Sequence, residues 1–423
     1  MIAINYEDLP NRDVLCIDCK SFFASVEAVK RKINPLKAYI VVMSNADRDS
    51  GLILAASPLV KKEYGIKTGS RRYELPYRSK LQIIPPAMGD YVQMNLKINQ
   101  IYRSYTDDKN WFPYSIDESF IDVTGSHALF GSNIEIAKQI QKEVWSTYGI
   151  YVTIGIGPNP LMAKLAMDIE AKHTASGVAQ WTYQDVPKIW TIPKLEDMWG
   201  IGTRTAKKLR LLGIRSIKDL ANSTPEKMKK HFGIIGLQLF YHCHGVDYSI
   251  LSERVQPKST SYGNSQILPK DYLEQSQVEI VLREMTEKLA QRLRNHEKLA
   301  GEVHVFIRYS KYESAKGFGR QRKITPTNRT EALTYEVLSL FRNYYKEYAV
   351  RQVGISFGRL QKEEAVQLNL FEDAEKQVKS LELNYITDKI QQRYGFTGLM
   401  KASSLLEGAT GKERSKLLGG HKQ

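Results

Sequence analysis

The sequence predicts an α+β protein built from several domains. Its 423 residues are enough for two to four domains, and 42% of them are hydrophobic, as expected of a chain with sizeable cores. Strand and helix patterns alternate up to about residue 173, and helical patterns alone follow to about residue 250. Residues 256–360 then show the order strand, helix, strand, strand, helix, strand, which indicates a β-α-β-β-α-β unit.

The charge of the chain indicates a polyanionic partner, because the net charge is +15 and the pI is about 9.4. No apolar run approaches the roughly 20 residues of a membrane span. The N-terminus is polar and acidic, so we expect no signal peptide. Three cysteines (Cys16, Cys19 and Cys243) are too few for a disulfide framework, and a reduced, cytoplasmic setting is expected.

The alternating stretch contains most of the strands. "DVLCIDCKSFFASVE" begins as a strand and changes to helical spacing near Phe22, and "YIVVMS" and "GLILAAS" are two further strands. "PLVKKEYG" is a helix ended by Gly65, and residues 90–106 and 132–148 are helical. Between the latter two, "PYSIDESFIDVTG" has the composition of a strand. "YVTIGIG" is a strand, and Pro160 begins the helix "PLMAKLAMDIEAK".

Three acidic residues lie at the ends of two of these strands. Asp18 ends the buried-looking strand "VLCID", and Asp117 and Glu118 are adjacent within the strand pattern of residues 113–125. Three carboxylates gathered in this way suit hard divalent cations, which prefer oxygen ligands and can neutralise a transferring phosphate. Asp18 as a helix N-cap and the acidic pair as a solvated edge hairpin are the alternatives.

Basic residues near these strands predict a phosphate site. Lys62 lies in "PLVKKEYG" and Lys164 in the helix that follows "YVTIGIG", and lysines that meet an acidic metal site usually bind substrate phosphates. The backbone amides of Cys19–Phe23 open a helix and form a second candidate anion site, which includes Ser21. Lone helical lysines are more often solvated.

The helical stretch contains "WGIGTRTAKKLRLLGI". Gly200 and Gly202 allow a tight turn between helices, and Arg204 and Lys207 stand beside it. The pattern resembles a helix-hairpin-helix, which clamps a nucleic-acid backbone without reading its sequence. An ordinary turn between two helices is the alternative.

The β-α-β-β-α-β stretch is strongly basic, since residues 256–362 contain 19 Lys and Arg against 11 Asp and Glu. "RYSKYESAKGFGRQRKITPTNR" includes Arg320, Arg322 and Lys323 and interleaves seven bases with aromatic residues. A basic rim of this kind resembles a nucleic-acid saddle, with a solvated hairpin as the alternative. The last 50 residues are polar, and we expect them to be partly disordered.

Four ordered motifs resemble the signatures of Y-family translesion DNA polymerases: "DCKSFFASVE", "SIDESFIDVTG", "TIGIGPNPLMAKLAMD" and "WGIGTRTAKKL". The likeness covers about residues 12–371 and is strongest to the bacterial UmuC-like branch. It implies a right-hand-like polymerase. The implied domains are palm (1–22 and 89–173), fingers (23–88), a thumb with the helix-hairpin-helix (174–250), a little finger (256–361) and a tail with a clamp-binding peptide (362–423).

The resemblance also implies roles for single residues. Asp18, Asp117, Glu118 and the backbone carbonyl of Cys19 would hold two Mg²⁺ ions, with Mn²⁺ as an alternative. Residues that would bind the incoming dNTP are Cys19, Ser21, Phe22, Phe23, Lys62 and Lys164. Phe23 would be the sugar gate, an aromatic ring that blocks a ribose 2′-OH. Many relatives have a Tyr three residues before the position of Lys62, where this chain has Leu59.

The implied reaction is template-directed DNA synthesis of low fidelity, without proofreading, in translesion repair. The implied partners are primer-template DNA, dNTPs and SOS accessory proteins, with a monomeric, nucleoid-associated enzyme and no membrane. The peptide "QLNLF" (Gln367, Leu368, Leu370 and Phe371 with Asn369 between them) resembles the family's ligand for the replicative sliding clamp, with a packed amphipathic turn as the alternative. A two-metal nuclease and a catalytically silent DNA-binding protein are the rival functions.

Overall fold

The computed structural model describes residues 4–45, 51–77, 80–253, 261–363 and 373–422. The chain divides into two compact units, Met1–Val255 with His421–Gln423, and Gln256–Gly420. Within the described ranges, no helix is long and apolar enough to cross a membrane.

The first unit combines two sheets with a group of helices. Its strands are β1 (Val14–Cys19), β2 (Ile40–Ser44), β3 (Leu52–Ala56), β4 (Gln82–Ile84), β5 (Trp111–Pro113), β6 (Glu118–Asp122), β7 (Val152–Gly157) and β8 (Val178–Gln180). Its helices are α1 (Phe22–Lys30), α2 (Pro58–Tyr64), α3 (Met88–Ser104), α4 (His127–Phe130), α5 (Asn133–Tyr148), α6 (Pro160–Leu165), α7 (Val186–Ile189), α8 (Thr203–Leu211), α9 (Ile217–Ala221), α10 (Pro225–Phe232) and α11 (Ile234–His242).

The central sheet has the strand order β5-β6-β1-β7-β8, and β1 pairs antiparallel with both β6 and β7. The strand β1 is buried on both faces, which explains its continuous apolar pattern. A Cβ on Gly155 of β7 would lie 2.1 Å from the carbonyl oxygen of Ala163, so only a glycine lets α6 pack this closely on the strand. This contact brings the side chains of α6 to the ends of β1 and β6.

A small sheet of order β3-β2-β4 packs with α2 around Val41, Met43, Ile53 and Val60. The helices α7–α11 share one core with buried side chains of α6 and with Ala179 and Trp181 at the end of the central sheet. The predicted helix "PLVKKEYG" is confirmed as α2, which ends at Gly65 in a left-handed conformation (φ 66°) that glycine adopts readily.

The second unit is the predicted β-α-β-β-α-β arrangement. Its elements are β9 (Ser261–Tyr272), α12 (Gln275–Asn295), β10 (Lys298–Tyr309), β11 (Gly317–Thr327), α13 (Thr330–Tyr344), β12 (Val350–Gly358) and β13 (Gln361–Lys362), and α14 (Ala374–Tyr394), α15 (Gly411–Arg414) and β14 (Leu417–Leu418) follow. The last strand of the described residues, β15 (His421–Lys422), belongs to the first unit. The sheet order is β11-β10-β12-β9, all antiparallel, and apolar side chains of α12 and α13 pack on one of its faces.

The stretch "PYSIDESFIDVTG" is not the single strand that its composition predicts. The strand β5 ends at Pro113 and β6 begins at Glu118, so Asp117 lies in the hairpin between them. The backbone N–H groups of Tyr114 and Ser115 both donate to the carbonyl of Glu118, which closes the hairpin. The two adjacent acids therefore need not share one pleated strand.

The disorder expected in the last 50 residues is wrong for α14, which spans Ala374–Tyr394. Two parallel hydrogen bonds of 2.6 and 2.9 Å join the guanidinium of Arg294 on α12 to the carboxylate of Asp388 on α14. Both residues are buried, and Arg294 also donates to the carbonyl of Asn328. Burial of this pair fixes a polar helix that sequence composition alone marks as weakly structured.

Candidate active site

The three predicted acids meet at one end of the central sheet. Asp18 of β1 lies directly opposite Glu118 of β6 in the strand register, so their side chains share a face of the sheet. Asp117 precedes Glu118 in the hairpin, and its carbonyl accepts a 2.8 Å hydrogen bond from the N–H of Cys19. The hydroxyl of Ser115 donates to the carboxylate of Asp117 at 2.6 Å.

Two lysines and a fourth acid complete a chain of alternating charges along this site. Nζ of Lys164 lies 2.7 Å from Glu118 and 3.1 Å from Asp168, and Nζ of Lys172 lies 2.8 Å from Asp168 and 3.4 Å from Asp18. Burial lowers the pKa of Lys164, but Cys16, Asp168 and Glu118 more than compensate, so both Lys164 and Glu118 are held as a buried pair. Sequence reasoning missed Asp168 and Lys172.

Lys164, which the sequence predicts as a ligand of the incoming dNTP, contacts the acids directly in the structure. It is buried against Glu118, whose other carboxylate oxygen accepts a 3.2 Å contact from the thiol of Cys16. Lys172 is the more accessible of the two lysines and faces Asp18. Ammonium groups in these positions neutralise the carboxylates in the structure.

A π-helical turn places Lys172 at the site. The N–H of Ala171 bonds to the carbonyl of Ala166, five residues earlier, so Ala166–Glu170 holds one residue more than an α-helical turn would. In a regular α-helix a residue eight positions after Lys164 would be rotated by about 80°. The wider turn reduces this rotation, and Lys172 comes into line with Lys164 and Asp168.

Asp18 is the acid of the site whose pKa is raised. Its pKa rises to about 6, mainly because the carboxyl group is buried; Lys172 and Lys164 oppose this rise, and the charges of Asp117 and Glu118 add to it. On α2, partial burial lowers the pKa of the Lys61 ammonium group, and the negative charges of Asp18 and Asp117 oppose that shift. Lys62, the residue predicted from sequence, is exposed on the same helix.

The start of α1 provides backbone donors beside Asp18. Ser21 precedes the helix in a left-handed conformation (φ 53°), which is strained for a residue other than glycine, and its hydroxyl oxygen is buried without a hydrogen-bond partner in the structure. Phe22 is buried, whereas Phe23 is half-buried at the second position of α1. The left-handed residue Ser21 thus lies between the end of β1 and the first residue of α1, and the predicted anion site at the start of α1 stays a prediction.

The donor chemistry fits a hard divalent cation, since three carboxylates and the carbonyl of Cys19 supply only oxygen ligands. Within the ranges that the structure describes, however, no three His, Cys, Asp or Glu side chains form a ready cation cluster. The ammonium groups of Lys164 and Lys172 stand beside Glu118 and Asp18 in its place. A cation would have to compete with these lysines.

The predicted DNA-binding residues of the helical region lie at the start of α8. Gly200 adopts φ 91° in the turn before the helix, while Gly202 precedes Thr203 in an extended conformation. Arg204 and Lys207 are exposed, and Ala206 and Leu209 face the core. The turn and its cations therefore face solvent together, as a backbone clamp requires.

The basic rim of the second unit is divided between two faces of β11. Arg322 lies opposite the buried Val303, pairs with Glu336 of α13 at 3.0 Å, and donates to Ser339. Arg320 lies over the ring of Tyr344, also on α13. Lys323 is exposed and stands opposite Glu302 on the other face of the sheet, the face that also includes Arg308. The predicted peptide Gln367–Phe371 lies outside the described residues.

Comparisons with known proteins agree on one family. Residues 17–168 match the model of the impB/mucB/samB family, and residues 259–370 match the model of its C-terminal domain. Residues 196–247 match the thumb domain of DNA polymerase-iota.

Full-length relatives are similar along the whole chain. The chain is 40% identical to the "Putative UV-damage repair protein UvrX" of Bacillus subtilis (strain 168), over 99% of this chain and 100% of the relative. It is 35% identical to "DNA polymerase IV 2" of the same organism, over 96% of this chain and 98% of the relative. A solved "Y-family DNA polymerase chimera Dbh-Dpo4(243-245)-Dbh" matches with a TM-score of 0.64 and 22% identity, over 83% of this chain and 99% of that chain, which supports the fold.

Proposed function

The chain belongs to the Y-family translesion DNA polymerases and is a DNA-directed DNA polymerase, and from this premise we propose that it extends primers by two-metal nucleotidyl transfer. The primer 3′-OH attacks the α-phosphate of a dNTP, and pyrophosphate leaves. We further propose that synthesis has low fidelity, lacks proofreading and tolerates damaged templates. Catalysis of this kind depends mainly on positioning and on electrostatic stabilisation of the transferring phosphate.

The observation that carries this proposal is the pairing of Asp18 with Glu118 across β1 and β6, with Asp117 beside them. Asp18 and Glu118 stand on paired strands, which position side chains more precisely than loops do, and the carbonyl of Asp117 in the hairpin is held by the N–H of Cys19. Asp18, Asp117, Glu118 and the carbonyl of Cys19 would hold two Mg²⁺ ions, or Mn²⁺. Bound cations would supply neutralisation of the phosphate charge and activation of the 3′-OH.

We assign the triphosphate to the N–H groups that open α1 and to Lys61 and Lys172. Both lysines interact electrostatically with Asp18 and are less enclosed than Lys164. Lys164 stays in the proposed dNTP site as well, where its 2.7 Å contact would also position Glu118. Lys62 and the sugar gate Phe23 remain part of the proposed dNTP site. Because Leu59 stands where many relatives have a Tyr, the lysines of α2 would supply the contact with the triphosphate at this point.

The proposed domains follow the sequence boundaries: palm for the central sheet, fingers for the small sheet with α2, thumb for α7–α11, and little finger for the second unit up to residue 361. Primer-template DNA would bind Gly200, Gly202, Arg204 and Lys207 through its backbone. Little-finger cations, including Lys323, would add sequence-independent attraction. We also propose that the protein belongs to the UmuC-like branch and that it is a monomer located in the cytoplasm at the nucleoid. Its further partners would be SOS accessory proteins and the sliding clamp.

A primer-extension assay tests the function directly. The parent protein, with Mg²⁺ and single dNTPs, should extend primers on undamaged and damaged templates. Glu118→Ala or Asp117→Ala should abolish extension while leaving DNA affinity largely intact, because the grip on DNA comes from the thumb turn and the basic little finger. Cleavage of the DNA without extension would favour the nuclease, and binding without either reaction would favour a silent protein.

A further inference from the structure

The ring of Phe23 is held from behind by a second aromatic residue. Phe23 stacks on Tyr91 of α3 with ring centroids 4.4 Å apart and an interplanar angle of 13°. Phe22 contacts it from another side in a tilted arrangement, with centroids 5.8 Å apart. Tyr91 is fully buried, so the half-buried ring of Phe23 covers a rigid aromatic surface.

Tyr91 is itself fixed to the helix that carries Phe23. Its hydroxyl donates a 3.0 Å hydrogen bond to the carboxylate of Glu27, which lies one turn after Phe23 on α1 and is 1% exposed. Helical residues four apart lie on one face, so the two rings and the carboxylate form a closed loop back to α1. Neither ring can turn without breaking a contact of the other.

A buried carboxylate is a firm partner only when its charge is compensated. Glu27 is held by the guanidinium of Arg31 and lies 3.5 Å from Nζ of Lys30. Lys30 also contacts Asp90 at 2.5 Å, the residue next to Tyr91 on α3. One ion pair, between Lys30 and Asp90, and one hydrogen bond, from Tyr91 to Glu27, therefore join the start of α3 to α1.

We propose that Tyr91 is a specificity-determining residue, whose ring holds Phe23 in the orientation that excludes a ribose 2′-OH. A Phe side chain at the second position of a helix has more than one accessible rotamer, and a sugar gate works only if its ring stays under the sugar. The stack of Phe23 on Tyr91, with Tyr91 itself held by its hydrogen bond to Glu27, selects one rotamer of Phe23. This inference rests on the proposed function.

Single-nucleotide incorporation with dNTP and with rNTP, on one primer-template, tests the proposal in the full-length protein. Tyr91→Leu removes the stack at similar size, and discrimination, the ratio of kcat/KM for dNTP over rNTP, should fall by about two- to tenfold. The kcat/KM for dNTP itself should stay near that of the parent, because Tyr91 touches neither the acids nor the lysines of the site.

A matched control separates this effect from general loosening. Tyr105 follows the last residue of α3, the helix that carries Tyr91, and is also buried. Its hydroxyl donates a 2.8 Å hydrogen bond to the carboxylate of Glu143, and its ring centroid lies 4.8 Å from that of Phe130. Tyr105→Leu should lower stability without changing discrimination. An equal loss of discrimination in this variant, or an unchanged ratio in Tyr91→Leu, would overturn the proposal.

A double-mutant cycle shows whether Tyr91 acts through Phe23. Phe23→Ala should admit rNTP, and adding Tyr91→Leu to it should cause no further loss of discrimination; an additional loss contradicts the proposal. If Tyr91→Leu does not fold, Tyr91→Phe takes its place, because it keeps the ring but removes the hydrogen bond to Glu27. An unchanged ratio of kcat/KM for dNTP over rNTP in Tyr91→Phe would then contradict the proposal.

The same measurements separate this proposal from the proposed function. If Phe23→Ala leaves the ratio unchanged, Phe23 is not a sugar gate; if Phe23→Ala lowers the ratio and the Tyr91 variant does not, Phe23 is a sugar gate that Tyr91 does not hold in place.

Discussion

Lys172 reaches Asp18 because the helix before it does not keep an α-helical period. The carboxylate of Asp168 accepts from both Lys164 and Lys172, and each lysine neutralises a different acid of the site. Lys164 is enclosed and lies against Glu118. Lys172 is more accessible and Lys61 is exposed on α2, which is why we propose both as contacts of an incoming polyphosphate.

Replacing the accessible lysines should weaken nucleotide binding. Because charge-assisted hydrogen bonds contribute about 1.5–3 kcal/mol, Lys172→Ala should raise KM for dNTP about tenfold or more in steady-state extension. Lys61→Ala should have a larger effect on KM than Lys62→Ala, since the charge of Lys61 interacts with Asp18 and Asp117. Equal KM values for Lys61→Ala and Lys62→Ala would contradict this assignment.

Single residues of the site were predictable to different degrees. Asp18, Asp117 and Glu118 stood out because acids are rare in apolar strands. Lys172 did not, because a period of 3.6 residues places it away from Lys164, and the π turn that corrects this has no sequence signature. Lys61 and Lys62 are adjacent, so only the orientation of α2 distinguishes them.

At the scale of elements, the helix α14 shows how strongly burial can override composition. It has a polar sequence with no pronounced apolar face, yet Arg294 and Asp388 lock it onto α12. Sequence patterns predicted the order β9-α12-β10-β11-α13-β12 because each of these elements has a clear period. Docking through this ion pair and through polar contacts such as those of Ser380 and Asn384 with Glu331 leaves no such period.

Breaking this pair should destabilise the second unit. Asp388→Ala leaves the guanidinium of Arg294 buried without its carboxylate, which should cost about 3–5 kcal/mol in the free energy of unfolding. The measurement is chemical denaturation followed by circular dichroism. Lys389→Ala, at the exposed neighbouring position, is the matched control and should change stability little. Equal stability of the two variants would show that α14 is held by other contacts.

The two faces of β11 should contribute differently to DNA binding. Arg308 and Lys323 lie on the face away from the helices, so Arg308→Ala with Lys323→Ala should lower the slope of log K against log salt by about two if each cation neutralises one phosphate. Arg322 is paired with Glu336, and Arg322→Ala should leave the slope nearly unchanged. A larger change for Arg322→Ala than for the double variant would reverse this distinction.

At the scale of the whole molecule, the relatives match nearly the full length of the chain, in both of its compact units. Several ordered motifs made the family recognisable from sequence, since each depends on a few residues whose chemistry allows little substitution. The division into two units was predictable from the change of pattern near residue 250. The packing of α14 against α12 within the second unit was not predictable in this way.

The peptide Gln367–Phe371 yields a prediction about the whole enzyme. Leu370→Ala with Phe371→Ala should leave extension unchanged without the sliding clamp and remove clamp-stimulated synthesis, because tethering raises the effective concentration at a primer end. Primer extension with and without clamp measures both. A pull-down in which the double variant binds the clamp as tightly as the parent would defeat the prediction.

The charges along the site alternate in the order Glu118, Lys164, Asp168, Lys172 and Asp18. The carboxylates therefore have counterions that belong to the chain itself, and this arrangement needs no bound ion to be neutralised. If divalent cations bind here as proposed, they would replace ammonium groups that remain covalently attached beside the acids. Removal of such cations would then return each lysine to its carboxylate.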